Sequence, residues 1–341
     1  MKKISYSLLW GLLCWIVGMG TAHAAEPYVP AQRMRVVIDN DFCGDPDGLF
    51  QLVHHLLSPS VEVRGIIGSH VPGGFSVRKG DNAAEVSCAK IREVLDAMGL
   101  TGKYNVYAGS PTAMTDPDTP QDSPGARFLV EEAMKATPEK PLYVVCGASL
   151  TTVASAWLMN PEIGKRIILV WIGGQEYVQA GALPYPNYAP VEYNLNLCIS
   201  SARVVFNKSD IRLWQVPRNV YRQCIYSLAE LQAYVAPCGK IGAYLSNSLT
   251  EMMVEMDKHN FHMGEVYILG DSPLVLFTAL QTGFDPDPAS SDYVVLPAPA
   301  IAEDGSYRYN HDGRSIRVYT RVDTRLLFED FNAKLAAAAS R

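Results

Sequence analysis

The chain has 341 residues, 48% of them hydrophobic and 19% charged, with a formal net charge of −6. That composition can fill a core, which argues against a disordered or low-complexity chain. An acidic balance without a basic stripe argues against nucleic acid or anionic lipid as partners and suits a small neutral or cationic ligand.

The first 24 residues read as a secretory signal: Lys2-Lys3, an apolar run from Leu8 to Val17, then Ala22-His23-Ala24 as a small-x-small cleavage site. The run is too short to span a bilayer, so a cleaved peptide is preferred to a retained anchor. The expectation is a periplasmic or secreted domain over residues 25–341, with no stable membrane association once the peptide is gone. Loss of Lys2 and Lys3 takes the formal charge from −6 to −8. Cys14 leaves too, and Cys43, Cys88, Cys146, Cys198, Cys224 and Cys238 remain. They are too sparse for a disulfide scaffold, and none shows CxxC spacing. Cys224 and Cys238 form the expected bridge.

The most informative stretch runs from Val36 through Ile38 into Asp39-Asn40-Asp41-Phe42-Cys43-Gly44-Asp45-Pro46-Asp47-Gly48. β-Branched residues run straight into four carboxylates, so a buried strand ends in a loop crowded with like charge. Crowded anions raise one another's pKa unless a cation neutralises them, and hard divalent ions take oxygen ligands of this kind. The loop is therefore a candidate calcium or magnesium site, weighed against an ordinary solvated acidic turn. An EF-hand does not fit, since counting from Asp39 puts Cys43 and Phe50 at positions five and twelve. A phosphatase of the haloacid dehalogenase type shares strand-Asp-x-Asp but expects Thr or Val where Phe42-Cys43 stand.

Beyond the loop, Leu49 to Leu57 has helical spacing and stops at Ser58-Pro59. His54 and His55 lie down that helix and read as structural. Val61 to Ile67 is a second parallel strand, 81–98 a helix, Asn105 to Ala108 a short strand and 125–136 a helix. Leu142 to Cys146 is a strand leading into Gly147 to Thr152, which caps the next helix, and Ile167 to Ile172 is a buried strand closed by Gly173-Gly174. This rhythm predicts a single α/β domain with a doubly wound, mainly parallel sheet flanked by helices, its loops gathered over one edge. Tyr177 to Pro190 is a loop suited to lie over a pocket. Glu192 and Asn194 either face a polar ligand or cap the helix expected near 200–207. Ile211 to Val216 is a strand, 227–260 is helical by pattern, and Asp271-Ser272-Pro273 opens another helix. Short strands from Ser291 to Val318 and a last helix to Ala338 complete the reading.

In that order, Asp39-x-Asp41 with Asp45 and Asp47, Gly147 to Thr152, Gly173-Gly174, Glu192-Tyr193-Asn194 and Asp271-Ser272-Pro273-Leu274 resemble the inosine-uridine-preferring nucleoside hydrolases over nearly the whole mature chain. Their first signature is Asp-x-Asp-Pro-Gly-x-Asp-Asp-Ala. The resemblance implies that Asp41 contacts calcium and takes the proton of the attacking water, that Asp47 holds a ribose hydroxyl, and that Asp271 is a late calcium ligand. Cys146 sits near the residue whose backbone carbonyl completes the metal site. Glu192 and Asn194 match sugar-binding positions, and Asn187 lies one place from the asparagine for the sugar 5′ end. Gly48 stands where the family has its second calcium-ligating Asp, so Asp45, from a loop two residues longer, is the candidate substitute. Gly270 stands where several members carry a His that protonates the departing base. His70, His259, His262, Tyr177 and Tyr185 are the candidate replacements. The implied function is calcium-dependent hydrolysis of a nucleoside or related N-riboside; the alternative, motivated by Gly48 and Gly270, is a calcium-dependent ribose or nucleoside binding protein. Family members are often oligomers, so the resemblance allows a homo-oligomer.

Overall fold

Strand β1 (Met34–Asn40) lies inside the molecule because its residues are apolar on both sides. Val36 and Ile38 enter the hydrophobic cluster on one face of the sheet and Val37 the cluster on the other, the alternation a strand imposes on successive side chains. A strand buried on both faces is what a parallel sheet covered by helices requires. The structure, a computed structural model, describes residues 28–72, 82–183, 189–282 and 291–340. The leader, Tyr185 and Asn187 lie outside the described residues.

Helix α1 (Asp47–Leu56), β2 (Val61–Gly68), α2 (Ala83–Ala97), β3 (Val106–Ala108), α3 (Pro124–Met134), β4 (Leu142–Cys146), α4 (Thr151–Met159) and β5 (Ile167–Ile172) follow in order. Two short helices, α5 (Tyr193–Leu197) and α6 (Ile199–Arg203), precede β6 (Arg212–Val216). Then come α7 (Arg218–Tyr221), β7 (Ile225–Ser227), α8 (Leu228–Glu230), α9 (Gly239–Lys258) and β8 (Val266–Ile268). The chain closes with α10 (Pro273–Leu276), β9 (Asp292–Pro297), β10 (Ala300–Ile301), β11 (Tyr307–Arg308), β12 (Ser315–Arg321) and α11 (Thr324–Ala339).

Eight strands make the main sheet in the order β3-β2-β1-β4-β5-β6-β12-β9. Its pairs are parallel except β12 with β9, so the doubly wound sheet gains one antiparallel edge. The order runs outward from β1 on one side and from β4 on the other. Ligands in such sheets bind in the crevice beyond the carboxyl ends of the strands where the order reverses.

Three details differ from expectation. The helical stretch predicted over 227–260 is interrupted: α8 runs into a π-helical turn, Leu231–Val235, and α9 begins only after Pro237, at a left-handed Gly239. Pro237 has no N–H to continue the helical ladder. The two-stranded ribbon of β7 and β8 is new, its strands too short for a periodicity to reveal. The expected Cys224–Cys238 bridge is absent: the six cysteines among the described residues are buried and none forms a disulfide. Cys224 is sealed in the core, while the Cys238 thiol donates to the Tyr234 carbonyl at 3.1 Å.

The structural reading of the two histidines holds. His54 Nε2 meets Asp330 at 2.7 Å and His55 Nε2 meets Thr278 Oγ1 at 2.9 Å, both within the core under α1. Burial pushes the His55 imidazole down to about 3.

Candidate active site

The end of β1 carries the site because the chain there turns on hydrogen bonds made by its own polar side chains. Asn40 Oδ1 accepts from the Asp41 N–H at 2.8 Å, and the Gly44 N–H donates back to the Asp41 carbonyl at 2.6 Å. Asp45 Oδ1 accepts from the Asp47 N–H at 3.0 Å, an Asx turn that delivers the chain into α1 through Pro46. Acids here fold the loop as well as charge it.

Two distant segments close on this loop. The Asp271 N–H donates to Asp47 Oδ2 at 3.1 Å, and Asn40 Nδ2 donates to Asp271 Oδ2 at 2.8 Å. Gly147, just past β4, permits the approach: a Cβ there would lie 2.5 Å from both Asp271 Oδ1 and Asn40 Nδ2. On the far side Asn194 Nδ2 donates to the carbonyls of Gly147 at 3.1 Å and Ile172 at 2.9 Å. Glu192 is the N-cap of α5; its Oε2 accepts from the N–H groups of Gly174 at 2.7 Å and Leu195 at 3.0 Å, while Oε1 accepts from the Tyr221 hydroxyl at 2.8 Å. The two readings of Glu192 thus resolve partly toward the cap, although of a helix that starts at Tyr193.

These residues surround a cleft of about 380 Å³ above the carboxyl ends of β1, β4 and β5. Asp41, Asp45, Asp47, Gly147, Glu192, Asn194, Gly270 and Asp271 all lie on its wall. The same cleft is also lined by apolar and aromatic side chains, Tyr193, Met252, Met256, Met263, Tyr267 and Ile268, and by Tyr221 and Arg222. A volume of this size with both polar and apolar lining suits a small molecule bearing both characters.

Burial and mutual repulsion dominate the electrostatics. Desolvation, then the charge of Asp271 and Asp45, holds the Asp41 carboxyl well above the usual range. Asp47 is raised for the same reasons, by burial first and then by Asp271 and Asp45. Asp271 is pushed up to about 8 by burial, against the opposing hydrogen bond from Asn40. Asp39 faces the other side of the sheet, where Ser69 Oγ donates to its Oδ1 at 2.5 Å and Oδ2 has no partner; burial pushes it up to about 7. Acids in this state hold protons near neutrality or wait for a cation.

Among the described residues no three His, Cys, Asp or Glu side chains already stand at metal-ligating geometry. The donor set nevertheless fits a hard divalent ion, since Asp41, Asp45, Asp47 and Asp271 offer only carboxylate oxygens and repel one another across a single cleft. Asp45 is the outermost of them and is exposed. Cys146 ends β4 one residue short of the cleft wall, its thiol turned toward the carbonyls of Ala148 and Ser149 at 3.6 Å.

None of the four described candidates for the leaving-group acid lines the cleft. His70 is buried with neither ring nitrogen bonded. His259 and His262 are exposed beyond α9 beside Glu255 and Asp257. The Tyr177 hydroxyl is tied to Gln215 Oε1 at 2.5 Å. Sequence reasoning overlooked the side chain of Asn40, which stood inside the quoted acidic motif, and Tyr221, for which the sequence offers no signal.

A doubly wound sheet with an acid-lined cleft at its switch point is the architecture of an α/β protein that takes a small ligand beyond its strand ends. The sequence pattern of the family described as inosine-uridine preferring nucleoside hydrolase matches residues 36–327, and the chain belongs to that family of metal-dependent N-ribosyl hydrolases. Among solved structures it is similar to a plant nucleoside hydrolase (16% identity, TM-score 0.67) and to a purine-preferring ribonucleoside hydrolase from Gardnerella vaginalis (18%, 0.67). An inosine-uridine preferring nucleoside hydrolase from Bacillus anthracis is also similar (16%, 0.61), and each comparison covers 89% of this chain and 99% of the other. Among curated proteins no relative matches the chain.

Proposed function

We propose that this chain is an exported, calcium-dependent hydrolase that cleaves the N-glycosidic bond of a ribonucleoside or related N-riboside to free base and ribose. The observation that carries this reading is the meeting of Asp41, Asp47 and Asp271 in one cleft, although 224 residues separate the last two in sequence. Asp41, Asp271 and Asp45 would hold the cation, with the backbone after Cys146 closing the sphere. A divalent cation bound there supplies the positive charge that lets these acids ionise together and makes a neighbouring water more acidic.

The chain's own residues account for the remaining steps. Asp41, on the wall of the cleft, takes a proton from the attacking water; such a base contributes about 10² to 10⁴-fold. The water oxygen bonds to the anomeric carbon as the carbon–nitrogen bond breaks, and the base leaves with that electron pair through an oxocarbenium-like sugar. Asp47 and Asn194 face the sugar side and fix the ring for in-line attack, while Asn187 remains a sugar-side candidate. The wall of methionines and tyrosines matches a flat heterocycle, as the purine-preferring and inosine-uridine preferring relatives require.

Ribose release from a panel of purine and pyrimidine nucleosides, with and without chelator, tests the reaction and its metal. Release abolished by chelator and restored by calcium is the expected result. Tight nucleoside binding without any release would instead favour the binding-protein reading. Export is tested separately by sequencing the amino terminus of the extracytoplasmic protein, which should begin at Ala25.

A further inference from the structure

We propose that the Tyr221 hydroxyl is a resident stand-in for a substrate hydroxyl at Glu192, and that it makes the enzyme indifferent to the sugar hydroxyl on that side. The inference rests on the nucleosidase reading of the cleft.

Glu192 is a cleft residue by position, yet it has no exposed surface. Its Oε2 is held by two backbone N–H groups and its Oε1 by the Tyr221 hydroxyl at 2.8 Å. A carboxylate offers about four lone-pair sites, so these three donors nearly saturate it. A sugar hydroxyl reaching Glu192 has to displace a buried neutral donor already at good distance, and the exchange yields almost nothing.

The position of the tyrosine ring explains Gly270. A Cβ on Gly270 would lie 3.1 Å from Tyr221 Cδ2 and 3.3 Å from Asp47 Oδ2. The ring therefore crowds a side chain at 270, which would have to push it aside by a few tenths of an ångström. Glycine at 270 and tyrosine at 221 are a complementary pair, and together they convert an exposed acceptor into a covered one. Tyr221 acts here as a specificity-determining residue, with its proton committed to Glu192 and not to the departing base.

The test compares wild type with Tyr221→Phe, which deletes one oxygen and leaves the ring in place. Base release is measured for a nucleoside and its 2′-, 3′- and 5′-deoxy forms, and binding of ribose and the matching deoxy sugars is measured by titration calorimetry. Wild type should discriminate weakly against removal of one particular hydroxyl. Tyr221→Phe should raise the penalty for losing that same hydroxyl by about tenfold or more, the worth of a hydrogen bond to a charged acceptor, and leave the other two penalties unchanged. The change should fall in KM more than in kcat. Gly270→Ala, which presses on the ring, should shift the same penalty in the same direction. Equal penalties in both proteins, or a uniform fall across all substrates, would overturn the role of Tyr221. Absence of turnover in wild type would overturn the nucleosidase reading alone, because the sugar-binding comparison still reports on Glu192; no turnover together with no binding of any sugar by either protein would overturn both.

Discussion

The carboxamide of Asn40 donates a 2.8 Å hydrogen bond to Oδ2 of Asp271, tying the end of β1 to the approach to α10 across 231 positions of sequence. The same nitrogen lies 3.3 Å from Gln51 Oε1, and Gln51 in turn contacts His55, which meets Thr278. A buried polar chain thus runs from the cleft down one side of α1, and Asp271 is oriented by it before any ligand arrives. Networks of this kind are strong when every member is satisfied and costly when one is removed.

Asp41→Asn keeps the shape of the loop and removes the base. Turnover is expected to fall by about 10² to 10⁴-fold with the melting temperature little changed or raised. Base-release kinetics beside thermal unfolding check this, and retained activity would remove Asp41 from the role.

Gly48 offers a sharper probe. A Cβ at 48 would stand 2.9 Å from Asn40 Nδ2, so the space beside this glycine is filled by the carboxamide. Gly48→Asp should lower stability by about 1–3 kcal/mol through overpacking. The carboxylate it adds should bind calcium more tightly than wild type, as measured by calorimetry. If metal affinity is unchanged, Asp45 already supplies the ligand.

The burial of Asp271 sets a pH dependence. Its folded carboxyl titrates at about 8 against an ordinary 3.8, so between these values the folded protein keeps a proton that the unfolded chain gives up. Stability from this group is therefore full at low pH and is lost as pH rises through that window. In chelator, the melting temperature of Asp271→Asn relative to wild type should climb steadily from pH 4 to pH 8. A difference that stays flat would contradict the assignment.

Gly147→Ala tests close approach directly. The new methyl would press on Asp271 and Asn40 at 2.5 Å, separating the late acid from the loop. Activity should fall more steeply than the roughly 1–3 kcal/mol cost of overpacking alone would suggest. Parallel assays of turnover and unfolding distinguish a displaced site from a damaged fold.

The sheet was legible because parallel strands are apolar on both faces: Val36 to Ile38, Leu142 to Cys146 and Ile167 to Ile172 each stand out as apolar runs. Asp271 was found through the family resemblance carried by Asp271-Ser272-Pro273-Leu274. What stayed hidden depends on lateral contacts that spacing does not encode. Tyr221 lies on a four-residue helix with no periodicity to mark which way its ring points. The Cys224–Cys238 bridge failed because proximity in sequence says little about where two thiols settle in a core.

Six sequestered sulfhydryls in the described chain carry a practical consequence. Since none of them is joined in a disulfide, reducing agents should leave the folded enzyme untouched. Because each is hidden from solvent, an alkylating reagent can tag them only when the polypeptide opens. Their labelling rate is a ready-made clock for how often that opening occurs, and it should slow when a ligand seals the cleft.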